Sequence, residues 1–155
     1  MLILGMDPGS LRFGIGLVKK EKNRFSYVHS EEIRLGQGDF IERMGTLWAR
    51  LAELTIRFVV DEAAMEEGFL GKNIRSMSLL SMVRGVAMAA LLQHHVPLRM
   101  YSPREVKLAL TGYGNAEKTQ VAKMASLLLG VRGRKLGLDE SDALAVAYCH
   151  GVTRR

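Results

Sequence analysis

The 155 residues are 48% apolar and 25% charged, which excludes disordered and fibrous chains and gives enough length to bury one sizeable core. A single cysteine, Cys149, excludes an intrachain disulfide and with it the disulfide-stapled secreted scaffolds. The net charge of +6 falls entirely in residues 99–135, where eight Lys and Arg meet only Glu105 and Glu117; a phosphate polyanion would suit that stretch, as would an ordinary basic surface.

Leu2–Met6 is an apolar run closed by Asp7, and Pro8-Gly9 is a turn pair. Six residues before Asp7 are too few for a signal peptide. The longest clean apolar run, Val86–Leu92, is too short to span a bilayer. A soluble protein of a reducing compartment, with no membrane association, is therefore expected. Leu11, Phe13, Ile15 and Leu17 alternate with Arg12, Gly14 and Gly16, the period of a strand. Residues 24–35 read as a third strand, and the short connections make the three an antiparallel meander.

Phe40, Met44, Leu47, Leu51 and Leu54 then recur at three and four, an amphipathic helix capped by Asp39. A strand is predicted over 58–66, a break at Gly68 and Gly71, a long apolar helix over 74–92 and a short strand over 96–101. Ser102-Pro103 supplies an N-cap and a proline at the first helical position. The loop 112–115, with Asn115 as cap, leads into a helix over 116–129. A basic loop, 130–137, precedes a last helix from Asp139 to about His150. No repeat or linker marks a boundary, so residues 1–155 read as one domain. Its element order predicts an α/β fold: a mixed five-stranded sheet, three antiparallel strands then parallel ones, with helices on both faces.

The acids stand out by position. Asp139, Asp142, Val146 and Cys149 share one face of the last helix, whose remainder is mostly alanine and so packs closely. Helix capping explains Asp139 and Asp142 taken alone, a turn explains Asp7, and a strand-end surface position explains Glu66. Jointly, two strands that end in an acid and a helix that begins with two could converge on one spot. Carboxylates brought together raise one another's pKa and call for cations. Oxygen-only ligands suit Mg²⁺ or Mn²⁺, and His29, His94, His95 and His150 lack ligand spacing and read as ordinary surface or helix-end residues. Paired metals beside a basic surface are an arrangement for phosphodiester hydrolysis.

The segments Ile3-Leu-Gly-Met-Asp7-Pro-Gly-Ser10, Met65-Glu66 through Phe69, Gly71-Lys-Asn73, Arg84-Gly-Val86, Arg104-Glu-Val-Lys107, Ala116-Glu-Lys118-Thr-Gln-Val121 and Asp139-Glu-Ser-Asp142-Ala-Leu-Ala145 resemble the RuvC family of Holliday junction resolvases. The resemblance runs from the first strand to the last helix. It implies an RNase H-like nuclease fold, a homodimer and Mg²⁺-dependent cutting of two symmetric strands of four-way junction DNA, with two Mg²⁺ per site and Mn²⁺ as substitute. It also implies RuvA and RuvB as branch-migration partners, and a bacterial cytoplasmic, nucleoid-associated setting.

By position, the resemblance makes Asp7, Glu66, Asp139 and Asp142 the acidic metal-binding tetrad, with His in some relatives where this chain has Asp139. Lys107 and Lys118 match the basic residues placed at the scissile phosphate, and Phe69 the aromatic that contacts a base near the junction centre. Arg12, Lys72, Arg75 and Arg104 are further candidate phosphate contacts. Residues 62–65 are less hydrophobic and the 130–137 loop more basic than the family's pattern. From the residues themselves, Phe69 beside Gly68 and Gly71 suits stacking on an unpaired base or folding back onto the core. The apolar girth of the 74–92 helix calls for partners on two sides, one the sheet and the other a second copy of the same helix. Competing readings are a nucleotide-binding ATPase of the same superfamily, for which 155 residues leave no second domain; a DNA-binding module without catalysis, which would have lost the acids; and an RuvC-like RNA-processing nuclease.

Overall fold

The computed structural model describes residues 1–68 and 73–154. β1 (Leu2–Asp7), β2 (Arg12–Glu21) and β3 (Arg24–Arg34) form the predicted antiparallel meander. β4 (Glu62–Glu66) and β5 (Leu98–Tyr101) add in parallel on the other side of β1, giving the order β3-β2-β1-β4-β5. α1 (Phe40–Phe58) and α2 (Ile74–Gln93) cover one face, and α3 (Pro103–Thr111), α4 (Lys118–Leu128) and α5 (Leu138–Thr153) serve the other.

Strand alternation sends each residue to one of two cores. Leu4 and Met6 of β1, Phe13, Ile15 and Leu17 of β2, and Ala63 and Met65 of β4 pack with Leu47, Leu51 and Leu54 of α1 and Val83, Ala87 and Leu91 of α2. The opposite positions, Ile3, Val18 and Ala64, pack under α5. α5 comes unusually close because the strands offer it no side chains in places. A Cβ on Gly5 would stand 2.0 Å from the Ala143 carbonyl oxygen, and one on Gly14 2.1 Å from that of Asp139.

Several boundaries differ from the sequence expectation. α1 runs on through Phe58, where a strand was predicted to start, because its buried stripe continues to Thr55 and Phe58 before Val59 closes it in the left-handed conformation. β4 accordingly begins only at Glu62. Asp39 caps α1, accepting from the backbone of Ile41 and Glu42, and Ser102 with Glu105 makes a full capping box on α3. Asn115 does not cap α4; Glu117 is the N-cap, its backbone N–H donating to Gln120 at 3.1 Å.

α2 carries the Val86–Leu92 run within a longer apolar helix. By length and composition alone this helix is long and apolar enough to cross a membrane. Val83, Ala87, Ala90 and Leu91 are buried in the core against the sheet and α1, while Met82 and Leu92 on the outer face are 55% and 69% exposed.

Candidate active site

The register builds the site. Asp7 pairs across from Gly14, and Gly14 across from Glu32. Met6 lies beside Met65, so one step further along these parallel strands Glu66 flanks Asp7. Asp7 and Glu66 project to the α5 face, because Met6 and Met65 point into the other core. The first turn of α5 lies over this same edge, its Asp139 carbonyl directly above Gly14, and presents Asp139 and Asp142 three residues apart on one side.

Capping does not explain these two aspartates. Gly137 is the N-cap of α5, and it is Glu140 that turns back, accepting from the Gly137 N–H at 2.8 Å. Glu140 is further held by Ser30 and by Arg134. Arg134, from the unusually basic 130–137 loop, also donates to the Tyr27 hydroxyl, so part of that loop's charge is structural.

Asp7, Glu66 and Asp142 line a cleft of about 330 Å³ with Lys107 of α3 and Lys118 of α4, over apolar walls from Pro103, Val106 and Val121. Lys118 Nζ stands 3.1 Å from Asp142 Oδ2. Burial pushes the Asp7 carboxyl up to about 7, with the charges of Asp142, Glu66 and Asp139 adding to the rise and Lys118 opposing it. Glu66 is raised by burial and by Asp142, against Lys118, Arg84 and Lys107. Asp139 is raised by burial and then by the neighbouring acid Glu32. Asp7 and Glu66 in the cleft, with Asp139 at the start of α5, are all held above their ordinary values, a crowding of negative charge that cations would relieve.

The four acids share one edge of the fold without closing into a cage. Among the described residues no group of three or more His, Cys, Asp or Glu side chains stands in metal-ligating geometry. One of the four is engaged by a cation, Asp142 by Lys118. The donor set in the cleft is carboxylate oxygen throughout, which fits hard divalent cations over zinc.

The basic candidates are dispersed. Arg12, 66% exposed at its side chain, pairs with Glu32 at 3.5 Å and acts electrostatically on Asp139. Arg104 packs against Gly114 at the mouth of the α3–α4 turn. Arg75 is exposed on the first turn of α2. Phe69 and Lys72 lie outside the described residues.

Three residues escaped the sequence reading. Glu32 becomes visible only when the β2–β3 register places it in line with Asp7. Arg84 of α2 packs against Gly68 and acts on Glu66; its Arg-Gly-Val motif was the available signal. His150, read as an ordinary surface or helix-end residue, does lie in the last turn of α5 but is 4% exposed and bonded to Tyr101 and Glu62.

The structure is similar to that of Thermus thermophilus RuvC in complex with Holliday junction substrate, with a TM-score of 0.94 and 31% identity over 100% of this chain and 95% of that one. The fold is thus of the RNase H-like class of α/β enzymes seen in that resolvase. The yeast mitochondrial Holliday junction resolvase Ydc2, at 16% identity and a TM-score of 0.69, shares the fold. In sequence, the chain is 41% identical to the crossover junction endodeoxyribonuclease RuvC of Christiangramia forsetii over 96% of this chain and 78% of that protein. It is 44% identical to that of Xanthomonas oryzae pv. oryzae over 98% and 88%. The profile of crossover junction endodeoxyribonuclease RuvC matches residues 3–150. The chain belongs to the RuvC family of crossover junction endodeoxyribonucleases.

Proposed function

We propose that this chain, as a single nuclease domain over 1–155, resolves four-way Holliday junctions by cutting two symmetric strands, with Asp7, Glu66, Asp139 and Asp142 as the metal-binding carboxylates. The observation that carries the reading is the crowding of Asp7, whose carboxyl is pushed to about 7 at the edge where Glu66, Asp139 and Asp142 meet it. Two Mg²⁺ ions, or Mn²⁺ in their place, would supply water activation and charge stabilisation at the leaving oxygen.

The protein's own groups do the rest. Asp7 and Glu66 sit on adjacent strand ends and fix the position of the cleft floor. Lys118, 74% exposed at its side chain, swings from Asp142 to the scissile phosphate and offsets the charge that builds there. Lys107 does the same from the α3 wall. Arg12, Arg75 and Arg104, with Lys72, hold flanking phosphates, and Phe69 stacks on an unpaired base. Phosphate contacts of this kind weaken as salt rises.

The exposed Met82 and Leu92 of α2 support a homodimer with α2 packed on its copy, which places two equivalent clefts about a twofold axis. RuvA and RuvB are the proposed branch-migration partners, and the bacterial cytoplasm, at the nucleoid, the proposed setting. The deciding experiment offers a synthetic four-way junction, a matched duplex and an RNA–DNA hybrid, each with Mg²⁺ or Mn²⁺. Symmetric nicking of the junction alone is expected; equal cutting of the hybrid would favour an RNA-processing role.

A further inference from the structure

The 130–137 loop carries Arg132, Arg134 and Lys135 and no acid, and the fold uses only one of these cations. Arg134 donates to the Tyr27 hydroxyl at 3.0 Å and pairs with Glu140. Val131 and Leu136 pack on the cluster of Leu129 and Leu144, and the Val131 N–H donates to the Ser126 carbonyl at 2.9 Å. Gly130 and Gly133 make left-handed turns, at φ of 66° and 75°, that other residues rarely adopt. The loop is thus braced from within. Arg132 and Lys135 are what it leaves outside: both are exposed, and among the described residues neither has an acid partner.

The brace also fixes where those cations stand. Successive residues of an α-helix turn by about 100°, so Glu140 and Asp142 leave α5 on opposite sides. Asp142 meets Lys118 of α4, whereas Glu140 meets Arg134 of the loop and Ser30 of β3. The acidic start of α5 is therefore flanked by cations on both sides, Lys107 and Lys118 on one and the loop on the other. Four residues separate Lys135 from Asp139, so their Cα atoms are at most about 14 Å apart. Arg12 and Arg34, exposed where β2 begins and β3 ends, extend the loop's flank.

We propose that the 130–137 loop is a second phosphate grip, with Arg132 and Lys135 holding the backbone of a DNA arm on the β3 side of α5, across from Lys107 and Lys118. The inference rests on the proposed reading of the chain as a nuclease of four-way junction DNA. Phosphates of one strand follow at about 3.4 Å along a duplex, so the loop meets the arm within about four nucleotides of the cut. A loop braced before DNA arrives has little freedom to lose on binding, and that is the use of Arg134 as an internal strut.

The test is the salt dependence of binding to a synthetic four-way junction, followed by fluorescence anisotropy in EDTA so that binding is read without cutting. Each lost phosphate contact lowers the slope of log affinity on log salt by about 0.9. Arg132→Ala combined with Lys135→Ala should therefore flatten the slope by about two. Its deficit in affinity should shrink about tenfold between about 50 and 200 mM salt. Arg132→Lys combined with Lys135→Arg should keep the parental slope. So should Lys22→Ala combined with Arg24→Ala, which removes the same charge from exposed positions at the far end of β2 and β3. With Mg²⁺ and saturating junction, the Arg132→Ala, Lys135→Ala protein should cut at the parental rate. A parental slope in that protein, slower cutting at saturation, or an equal flattening in the Lys22→Ala, Arg24→Ala protein would overturn the proposal. A parent protein that fails to bind the junction would instead overturn the reading of the chain on which it rests.

Discussion

The two ends of the α5 face of the sheet use the same kinds of side chain to opposite effect. β4 carries Glu62 near one end and Glu66 at the other, and α5 carries Asp142 early and His150 late. At the Glu62 end both oxygens of the acid are met. His150 Nε2 stands 2.7 Å from Glu62 Oε2, His150 Nδ1 stands 2.9 Å from the Tyr101 hydroxyl, and Arg154 pairs with the second Glu62 oxygen. Burial, with the charges of Arg99 and Lys20, holds His150 below its ordinary value. The neutral ring thus donates to Glu62 and accepts from Tyr101. At the Glu66 end the acids face one another, and Lys118 alone bridges to one of them in the described cleft. A buried acid with complete partners is structure; buried acids with like neighbours keep a crowding of charge that a cation would relieve.

The largest expected effect is at the unmet end. Asp7→Asn should lower junction cleavage by about 10³-fold or more, with junction binding by gel shift retained. Normal cleavage would break the contrast between the two ends. Lys118→Ala should slow single-turnover cleavage by about 10²-fold and leave the urea midpoint unchanged, since the Lys118 side chain is 74% exposed. At the satisfied end, Glu62→Ala should lower the unfolding free energy by about 2 kcal/mol, with cleavage per folded molecule preserved. A variant that is stable but inactive would put Glu62 in the reaction.

A smaller effect sharpens the comparison through pH. The Asp7 carboxyl is raised in the folded state, so its contribution to stability is complete below its unfolded value of 3.8 and is lost as pH rises through about 7. In EDTA, the melting temperature of the parent should fall relative to Asp7→Asn by a few degrees between pH 5 and pH 8. Mn²⁺ should restore it, most strongly at the upper pH. A parallel course for the two proteins would remove the crowding of Asp7 as the source of the effect.

Most of the fold was legible because its signals are local: the alternation of β2, the Leu47–Leu51–Leu54 stripe, the Asp39 cap and the Ser102-Pro103 start are read within a few residues. The boundary at Phe58 was not, because Val59-Val60 has the β-branched composition of a strand while the helix is extended by packing across the core. The positions of Asp7, Glu66, Asp139 and Asp142 were legible as acids that end apolar strands or open a close-packed helix. Glu32 was not, since only the pairing of β2 with β3 sets it in line with Asp7, and nothing in its own neighbourhood separates it from Glu31. Glu31 in fact turns to Arg50, an ion pair on the opposite face.

The bare strand backbone under α5 has one more consequence. With no side-chain layer at Gly5 and Gly14, the spacing between Asp7 and the aspartates of α5 is set by the thickness of two main chains in contact. A single methyl group at either glycine would act as a shim, lifting the helix and widening the gap between its acids and the strand's while the remaining layers stay stacked. The dimension that chemistry needs is therefore gauged by the least compressible material the protein has, and it can drift in one direction only.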